Sequence, residues 1–151
     1  MNKSGFTLIE LLISIGILAI ITTFGATFFS TGIGQNELVS TSWEVIDTLR
    51  RAQSSSLSGK GNSAWSVHFE TNQFVLFKGV TYNVLDPDNV FFPLSTTIEV
   101  SDISLNGGGS DVFFNKVKGT TTKFGTVTLL DTNTGETRVI NISKEGVFII
   151  S

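Results

Sequence analysis

The chain has 151 residues, a net charge of −3 and no cysteine. The absence of cysteine excludes disulfides, thiolate nucleophiles, cysteine-ligated metals and lipid attachment to a cysteine. The acidic balance gives no global attraction to nucleic acid or to an anionic membrane surface. Charged residues make up only 15% of the chain, which is low for a soluble protein, and the length leaves room for one domain beside an anchor.

Residues 5–29 form an apolar run in which Glu10 is the only ionisable side chain. As a helix, residues 6–29 are about 36 Å long and cross a hydrocarbon core of about 30 Å. The run is longer than the apolar part of a cleaved secretory signal, which has about 7–15 residues. Lys3 precedes the run and Arg50 is the first basic residue after it, so we expect a cytoplasmic N-terminus. These features alone predict a single-pass membrane anchor.

Glu10 does not fit a simple anchor, because a carboxylate at the centre of a membrane helix costs about 3 kcal/mol on insertion scales. The residues around it closely resemble the N-terminal signature of type IV pilins and type II secretion pseudopilins. The matching residues are Lys3, Gly5, Phe6, Thr7, Leu8, Ile9, Glu10, Leu11 and Leu12. The motif is specific because it combines a short leader, a glycine, a phenylalanine and an intramembrane glutamate at fixed offsets.

The resemblance implies a role for each of three residues. Prepilin peptidase would cleave the bond after Gly5, and Phe6 would then carry a new α-amine that becomes N-methylated. Glu10 would engage the terminal amine of a neighbouring subunit during assembly, because pairing relieves the cost of a buried carboxylate. The resemblance implies no catalytic residue.

The resemblance also implies a location and a set of partners. Residues 1–5 form the leader and residues 6–30 the transmembrane and assembly helix of an inner-membrane protein, whose C-terminal domain is periplasmic or extracellular until the subunit enters a filament. The expected partners are other pilin or pseudopilin subunits, prepilin peptidase and the inner-membrane assembly platform, whereas nucleic acid is not expected. The alternative is a membrane-tethered extracytoplasmic binding domain that forms no filament.

A second helical pattern follows over residues 31–58. Gly32 and Gly34 indicate either a soft point within one long helix or the end of the membrane segment. The stripe that predicts an amphipathic helix consists of Val39, Trp43, Ile46, Leu49 and Leu57, with Gln53 at the remaining position. We expect this face to pack on a sheet, with Trp43 in the core. The serine- and glycine-rich residues 54–63 predict the end of the helix.

Residues 59–151 have an apolar period of two with turn residues between the segments, which predicts antiparallel strands. The predicted strands are 64–70, 73–78, 96–105, 111–117, 125–131, 136–143 and 147–151, with a hairpin about Thr71 and Asn72. Pro87 and Pro93 bracket a segment that we interpret as an irregular loop. The predicted fold class is α+β, with a long N-terminal helix, transmembrane and then amphipathic, packed on an antiparallel β-sheet domain.

The second half of the chain also resembles the GspH/FimT-type branch of pseudopilins. The residues that carry this resemblance are Arg51-Ala52-Gln53, Val112–Asn115, Gly119, Ile142-Ser143 and Gly146-Val147. The resemblance to this branch predicts a minor pilin or pseudopilin of the GspH/FimT type.

The remaining residues form no catalytic or metal-binding pattern. His68 is the only histidine and lacks a nucleophile motif or a metal-ligand spacing, so we expect it to point outward from a strand. Residues 86–89 lack the spacing of a calcium loop and predict a turn. The basic residues that could form a strip are Arg50, Arg51, Lys60, Lys78, Lys116, Lys118, Lys123 and Lys144, but acidic residues outnumber them. We expect no enzyme activity, no cofactor and no bound metal.

Overall fold

The computed structural model describes residues 7–151, apart from the side chains of residues 23–36. The chain divides into two compact units, Met1–Ile33 and Gly34–Ser151. One helix, α1, spans Leu8–Leu57 and contributes residues to both units. Within the described part of the chain, no helix is apolar over a sufficient length to cross a membrane. The transmembrane assignment of residues 6–30 stays a prediction.

The second unit continues after α1 with a 3₁₀ turn at Lys60–Asn62 and then with strands only. The strands are β1 (Trp65–Glu70), β2 (Gln73–Lys78), β3 (Val90–Pro93), β4 (Ile98–Leu105), β5 (Asp111–Phe113), β6 (Gly125–Asp131), β7 (Thr137–Ile142) and β8 (Phe148–Ile150). Each predicted strand is present, and the predicted hairpin about Thr71 and Asn72 connects β1 to β2. The α+β class and the antiparallel pairing are therefore confirmed.

The strands form two four-stranded sheets in which every neighbouring pair is antiparallel. The first sheet has the order β3-β2-β1-β5, and the second has the order β4-β6-β7-β8. The period-two pattern predicts the strands, but it does not indicate which strands share a sheet. The division into two sheets leaves β8 at an edge of the second sheet.

Part of the segment that we predict as an irregular loop is strand β3, so that prediction is wrong for Val90–Pro93. Phe92 of β3 pairs with Phe74 of β2, and the two rings stack with centroids 5.0 Å apart. Pro93 ends this strand, at the edge of the sheet where a missing backbone N–H is tolerated. A proline next to a phenylalanine pair is a weak strand pattern, which explains the error.

One hydrophobic core connects the second part of α1 to both sheets of the second unit. Leu38, Val45 and Leu49 of α1 are buried together with residues of both sheets. The buried residues of the sheets in this core include Val67, Phe69, Phe74, Leu76, Val112, Val127, Leu129 and Ile140. Each fully buried side chain of this size contributes about 1.5–3 kcal/mol, so this core stabilises the second unit.

The buried face of α1 differs from the predicted stripe. Its buried residues are Leu38, Ser42, Val45, Ile46, Thr48, Leu49, Ala52 and Ser56. Trp43 is 54% exposed and Leu57 is 46% exposed, so the prediction of Trp43 as a core residue is wrong. Ile46 and Leu49 of the predicted stripe are buried as expected, but the centre of the buried face lies about 80° around the helix from the centre of that stripe. Ser42, Ala52 and Ser56 fill positions that a count of large apolar residues overlooks.

Candidate functional site

The segment that carries the motif begins with a capped helix end. The backbone carbonyl of Thr7 accepts hydrogen bonds from the amides of Glu10 and Leu11, at 3.1 and 3.2 Å. The hydroxyl oxygen of Thr7 also accepts the amide of Glu10 at 3.3 Å. Thr7 is therefore the N-cap of α1, because its side chain satisfies one of the amides that the first helical turn leaves unpaired.

Glu10 lies in the first turn of α1 with an exposed side chain. Within the described residues, its carboxylate has neither a hydrogen bond nor an ion pair, while its backbone carbonyl accepts the Ser14 hydroxyl at 2.7 Å. Thr7 and Glu10 have the Thr-x-x-Glu spacing of a capping box, which the sequence analysis missed although the spacing is visible there. Gly5 and Phe6, the residues predicted for cleavage and methylation, lie outside the described residues.

The apolar side chains of the first unit are exposed on every side of α1. The large ones between positions 8 and 21 are Leu8, Ile9, Leu11, Leu12, Ile13, Ile15, Ile17, Leu18, Ile20 and Ile21, and each is more than half exposed. A helix that is apolar all round is stable when another apolar phase or other helices surround it. The first unit therefore exposes a large apolar surface between Leu8 and Ile21.

A second cluster of motif residues lies at the other end of α1. The side-chain amide nitrogen of Gln53 donates hydrogen bonds to the carbonyl oxygens of Gly119 and Gly146, at 2.9 and 3.1 Å. Ala52, beside it, is fully buried. Gln53 thus connects the helix to the loop before β6 and to the turn between β7 and β8. These residues come from separate segments of the GspH/FimT resemblance, and the fold brings them together.

His68 lies on the face of the first sheet that points away from the core. Its Nδ1 lies 2.6 Å from a carboxylate oxygen of Asp111 on β5, and its Nε2 lies 3.6 Å from Glu70. The predicted outward direction fits this face, but the side chain is only 20% exposed. The ring of Tyr82, in the loop between β2 and β3, stacks on the imidazole with centroids 4.0 Å apart. His68 thus links two strands and a covering loop.

The hydroxyl of Tyr82 is unusual among the groups around His68. The oxygen is buried and has no hydrogen-bond partner within the described residues. Burial raises the pKa of Tyr82, and the nearby carboxylates of Glu70 and Asp111 raise it further. The nearest hydroxyl on the same strand face as His68 belongs to Ser66, which donates to the carbonyl of Gly79.

The residues considered for calcium and for anions have local structural roles. The backbone carbonyl of Asp86 accepts the amide of Asn89 at 3.2 Å, and its side chain accepts the amide of Asp88 at 2.9 Å, as expected for a turn. Within the described part of the chain, no group of three or more His, Asp or Glu side chains could hold a metal ion. Lys78 forms an ion pair with Asp88 at 3.5 Å.

Three of the lysines considered for a basic strip have local contacts of their own. Lys60 lies over the ring of Trp65, with its Nζ 5.2 Å from the ring centroid, and Lys116 donates to the backbone carbonyl of Asn62. Lys123 instead donates to the carbonyls of Gly107 and Gly108 in the loop before β5. These amino groups are engaged in local contacts of the loops.

The comparisons with known proteins concern the N-terminal segment. Residues 1–26 match the family model described as the prokaryotic N-terminal methylation motif. No curated protein and no solved structure matches the chain. The matched residues include the predicted cleavage bond, the Thr7 cap and Glu10. The chain therefore carries the N-terminal methylation motif at residues 1–26. This motif indicates a type IV pilin-like substrate of prepilin peptidase.

Proposed function

We propose that this chain is a minor pilin or pseudopilin of the GspH/FimT type, a structural subunit of a type II secretion or type IV pilus filament. The precursor resides in the inner membrane with its N-terminus in the cytoplasm. Prepilin peptidase cleaves it after Gly5, Phe6 is N-methylated, and the N-terminal helix assembles with other subunits on the inner-membrane platform. The observation that carries this proposal is the methylation motif at residues 1–26.

The surface of the first unit supports a role in assembly. The apolar side chains between Leu8 and Ile21 are more than half exposed, so they require either lipid or neighbouring helices around them. A filament subunit uses both environments in turn, because its helix leaves the lipid and packs against the helices of its neighbours. The same apolar surface then stays out of water before and after assembly.

The position of Glu10 supports a specific axial alignment of neighbouring subunits. Its carboxylate lies in the first turn of α1 and has no partner among the described residues. In an apolar filament core, an unpaired carboxylate is costly, whereas a carboxylate paired with the methylated amine of a neighbouring Phe6 is not. Only the axial register that joins the two groups relieves this cost.

The contacts of Gln53 support the narrower assignment to the GspH/FimT type. The resemblance rests on separate short segments, and Gln53 bonds to the carbonyls of two glycines from those segments, Gly119 and Gly146. A shared hydrogen-bond network gives these distant positions a common structural reason. The paired strands β7 and β8 on either side of Gly146 complete the arrangement.

The first test is the identity of the mature N-terminus. The full chain is expressed with and without prepilin peptidase, and the purified protein is analysed by mass spectrometry. We expect an N-methylated Phe6 only when the peptidase is present, and an intact Met1 without it. An intact Met1 in the presence of the peptidase, or cleavage near Ser30, would contradict the proposal.

The second test separates a filament subunit from a membrane-tethered binding domain. Glu10→Leu is compared with Glu44→Leu, which makes the same change at an exposed position of the same helix in the second unit. We expect Glu10→Leu to reach the membrane but to lose incorporation into filaments by at least about tenfold. The reason is that the methylated amine of the neighbouring Phe6 would be left as an uncompensated charge, which costs more than about 1.4 kcal/mol. Glu44→Leu should assemble normally. Equal incorporation of both variants would favour the tethered domain.

A further inference from the structure

The second unit contains an open groove between α1 and the second sheet. The groove has a volume of about 220 Å³, and its lining residues are Val39, Ser42 and Trp43 of α1, Arg138 of β7 and Ile150 of β8. Three features of different chemistry meet there: a cation, a half-exposed indole and the edge of a sheet.

Among the described residues, Arg138 is a partly buried cation without a partner. It lies opposite Leu129, a buried residue of β6, so its side chain leaves β7 on the core-facing side of the sheet. Within the described residues it has no ion pair and no hydrogen bond from its guanidinium. A guanidinium offers several N–H donors in a plane that fits a carboxylate. The groove therefore has an unused donor set for an acidic group.

The backbone of β8 offers unpaired groups at the same place. β8 is an edge strand, and Ser151 exchanges both of its backbone hydrogen bonds with Val139 of β7. Hydrogen-bonded and non-hydrogen-bonded pairs alternate along an antiparallel ladder, so the N–H and C=O of Ile150 point away from β7. An added strand would form hydrogen bonds with these two groups.

Trp43 and Ile150 add an apolar surface beside these polar groups. The indole of Trp43 is 54% exposed although it lies next to the core, and no ring contact involving Trp43 occurs within the described residues. Half-exposed tryptophans next to an arginine are typical of the anchor positions of protein interfaces. Solvent exposure of this ring is unfavourable unless a partner covers it.

We propose that this groove binds an extended segment of a partner protein that carries one carboxylate side chain and, two residues away on either side, an apolar side chain on the same face. The segment adds to β8 as a fifth strand of the second sheet. Its residue opposite Ile150 then has its side chain on the face of the groove, because directly paired residues of an antiparallel ladder share a face. That side chain pairs with Arg138, while an apolar side chain two residues away, on the same face, covers Trp43. All five lining residues belong to the second unit, and the proposal does not depend on filament assembly.

The chemistry of the groove favours a peptide over other anions. Arg138 is the only basic residue among the described residues of the lining, so a nucleic acid would meet a single cation there, on a chain of net charge −3. A small inorganic anion would use Arg138 but would leave both Trp43 and the edge of β8 uncovered. Only an extended acidic peptide satisfies all three features together.

The binding test uses the full chain in detergent and three capped peptides, acetyl-VTETV-amide, acetyl-VTQTV-amide and acetyl-VTKTV-amide, in which the valines share a face with the central residue. The chain contains two tryptophans, so 5-fluorotryptophan labelling gives two fluorine signals, and Trp43→Phe assigns them. We expect the glutamate peptide to shift the Trp43 signal saturably and to slow amide exchange at Ile150. The glutamine peptide should bind about tenfold more weakly, since it lacks the charge-assisted bond, and the lysine peptide should not bind.

Chain variants identify the cation. Arg138→Gln should remove the preference for the glutamate peptide over the glutamine peptide, and Arg138→Lys should retain part of it. Lys118→Gln is the matched control, because it removes one exposed charge elsewhere. Three results would overturn the proposal: no shift with the glutamate peptide at millimolar concentration, equal binding of glutamate and glutamine peptides, or an unchanged preference in Arg138→Gln. Correct folding of each variant is checked from its unperturbed fluorine signal of Trp65.

Discussion

Gln53 occupies the space in which a side chain at position 146 would lie. Its amide nitrogen donates to the carbonyl of Gly146 at 3.1 Å, and a Cβ added at Gly146 would come within 2.1 Å of that nitrogen. Gly146 also has a φ of +79°, in the left-handed region that favours glycine. The hydrogen bond and the missing side chain therefore depend on each other.

Gly146→Ala should destabilise the chain by more than about 2 kcal/mol, because it adds a steric clash to the strain of the left-handed backbone. Gly135→Ala is the matched control, since Gly135 has a φ of +74° and a Cβ there would meet nothing within 4 Å. In Gly135→Ala the free energy of unfolding should fall only by the cost of the left-handed backbone conformation, about 1–2 kcal/mol. Urea unfolding in mild detergent measures both. Equal losses would mean that Gln53 moves away at no cost.

The observed buried face of α1 predicts stability losses of different size for two of its large residues. Leu49→Ala should cost about 2–5 kcal/mol, because Leu49 is fully buried and its removal leaves a cavity. Trp43→Ala should cost less than about 1 kcal/mol, because the ring is more than half exposed. Thermal or urea unfolding compares the two variants. A larger loss for Trp43→Ala would restore the original assignment of Trp43 to the core.

Tyr82→Phe should leave the stability unchanged or raise it by about 1 kcal/mol at neutral pH, since it removes a buried hydroxyl without a partner. The ring contacts with His68 and Phe77 are retained. Urea unfolding at neutral pH is the measurement. A clear loss of stability would show that the hydroxyl has a favourable partner in solution.

The raised pKa of Tyr82 predicts a loss of stability in alkali. As the pH rises above about 10, the unfolded chain releases the phenolic proton first, so the free energy of unfolding falls until the pKa of the folded state is passed. Below about pH 10 this contribution is fully present. Tyr82 is the only tyrosine, so its ultraviolet ionisation band reports the titration directly. The alkaline loss should be smaller in Tyr82→Phe, and an identical pH profile in both proteins would contradict the assignment.

The contact between His68 and Asp111 should be measurable as a coupling energy. His68→Gln, Asp111→Asn and the double variant form a thermodynamic cycle. We expect the stability loss of the double variant to be smaller than the sum of the two single losses by about 1 kcal/mol or more. The reason is that the two residues join β1 to the short edge strand β5 through one bond of 2.6 Å. Additive losses, with no coupling, would mean that the bond does not hold β5 in place.

Thr7→Val should loosen the first turn of α1. Valine has the shape of threonine but has no oxygen to accept the amide of Glu10, so loss of the cap costs about 1 kcal/mol. Hydrogen exchange at the amide of Glu10 should become several-fold faster. Thr22→Val is the control, because its hydroxyl bonds to carbonyls within the helix and caps no amide. Unchanged exchange in Thr7→Val would exclude the capping role.

The strands and the end of α1 could be predicted from local patterns. Alternation of apolar residues marks β1, β6 and β7, a continuous apolar run marks β2, and the serine- and glycine-rich segment marks the end of α1 at Leu57. The strand β3 was missed because Pro93 and the adjacent phenylalanines have no alternation, and only pairing with β2 makes them a strand.

The burial of α1 could be predicted only in part. The large apolar residues predicted a face whose centre lies roughly one residue away from the centre of the observed buried face. The difference arises because the small side chains of Ser42, Ala52 and Ser56 are buried by tertiary packing. The contacts of Gln53 with Gly119 and Gly146 join residues 66 and 93 positions apart, and no local pattern contains that information. The cap at Thr7, by contrast, is a local pattern and could have been recognised.

The cap at Thr7 has an electrostatic consequence for the proposed cleavage. The backbone dipoles of a helix give its N-terminus a partial positive charge of about half an elementary unit. Cleavage after Gly5 would place a full positive charge on Phe6, one residue before the cap. Like charges would then face each other at the end of each processed subunit, and a carboxylate from outside would relieve the repulsion. Processing would thus prepare the subunit to attract the Glu10 of its neighbour.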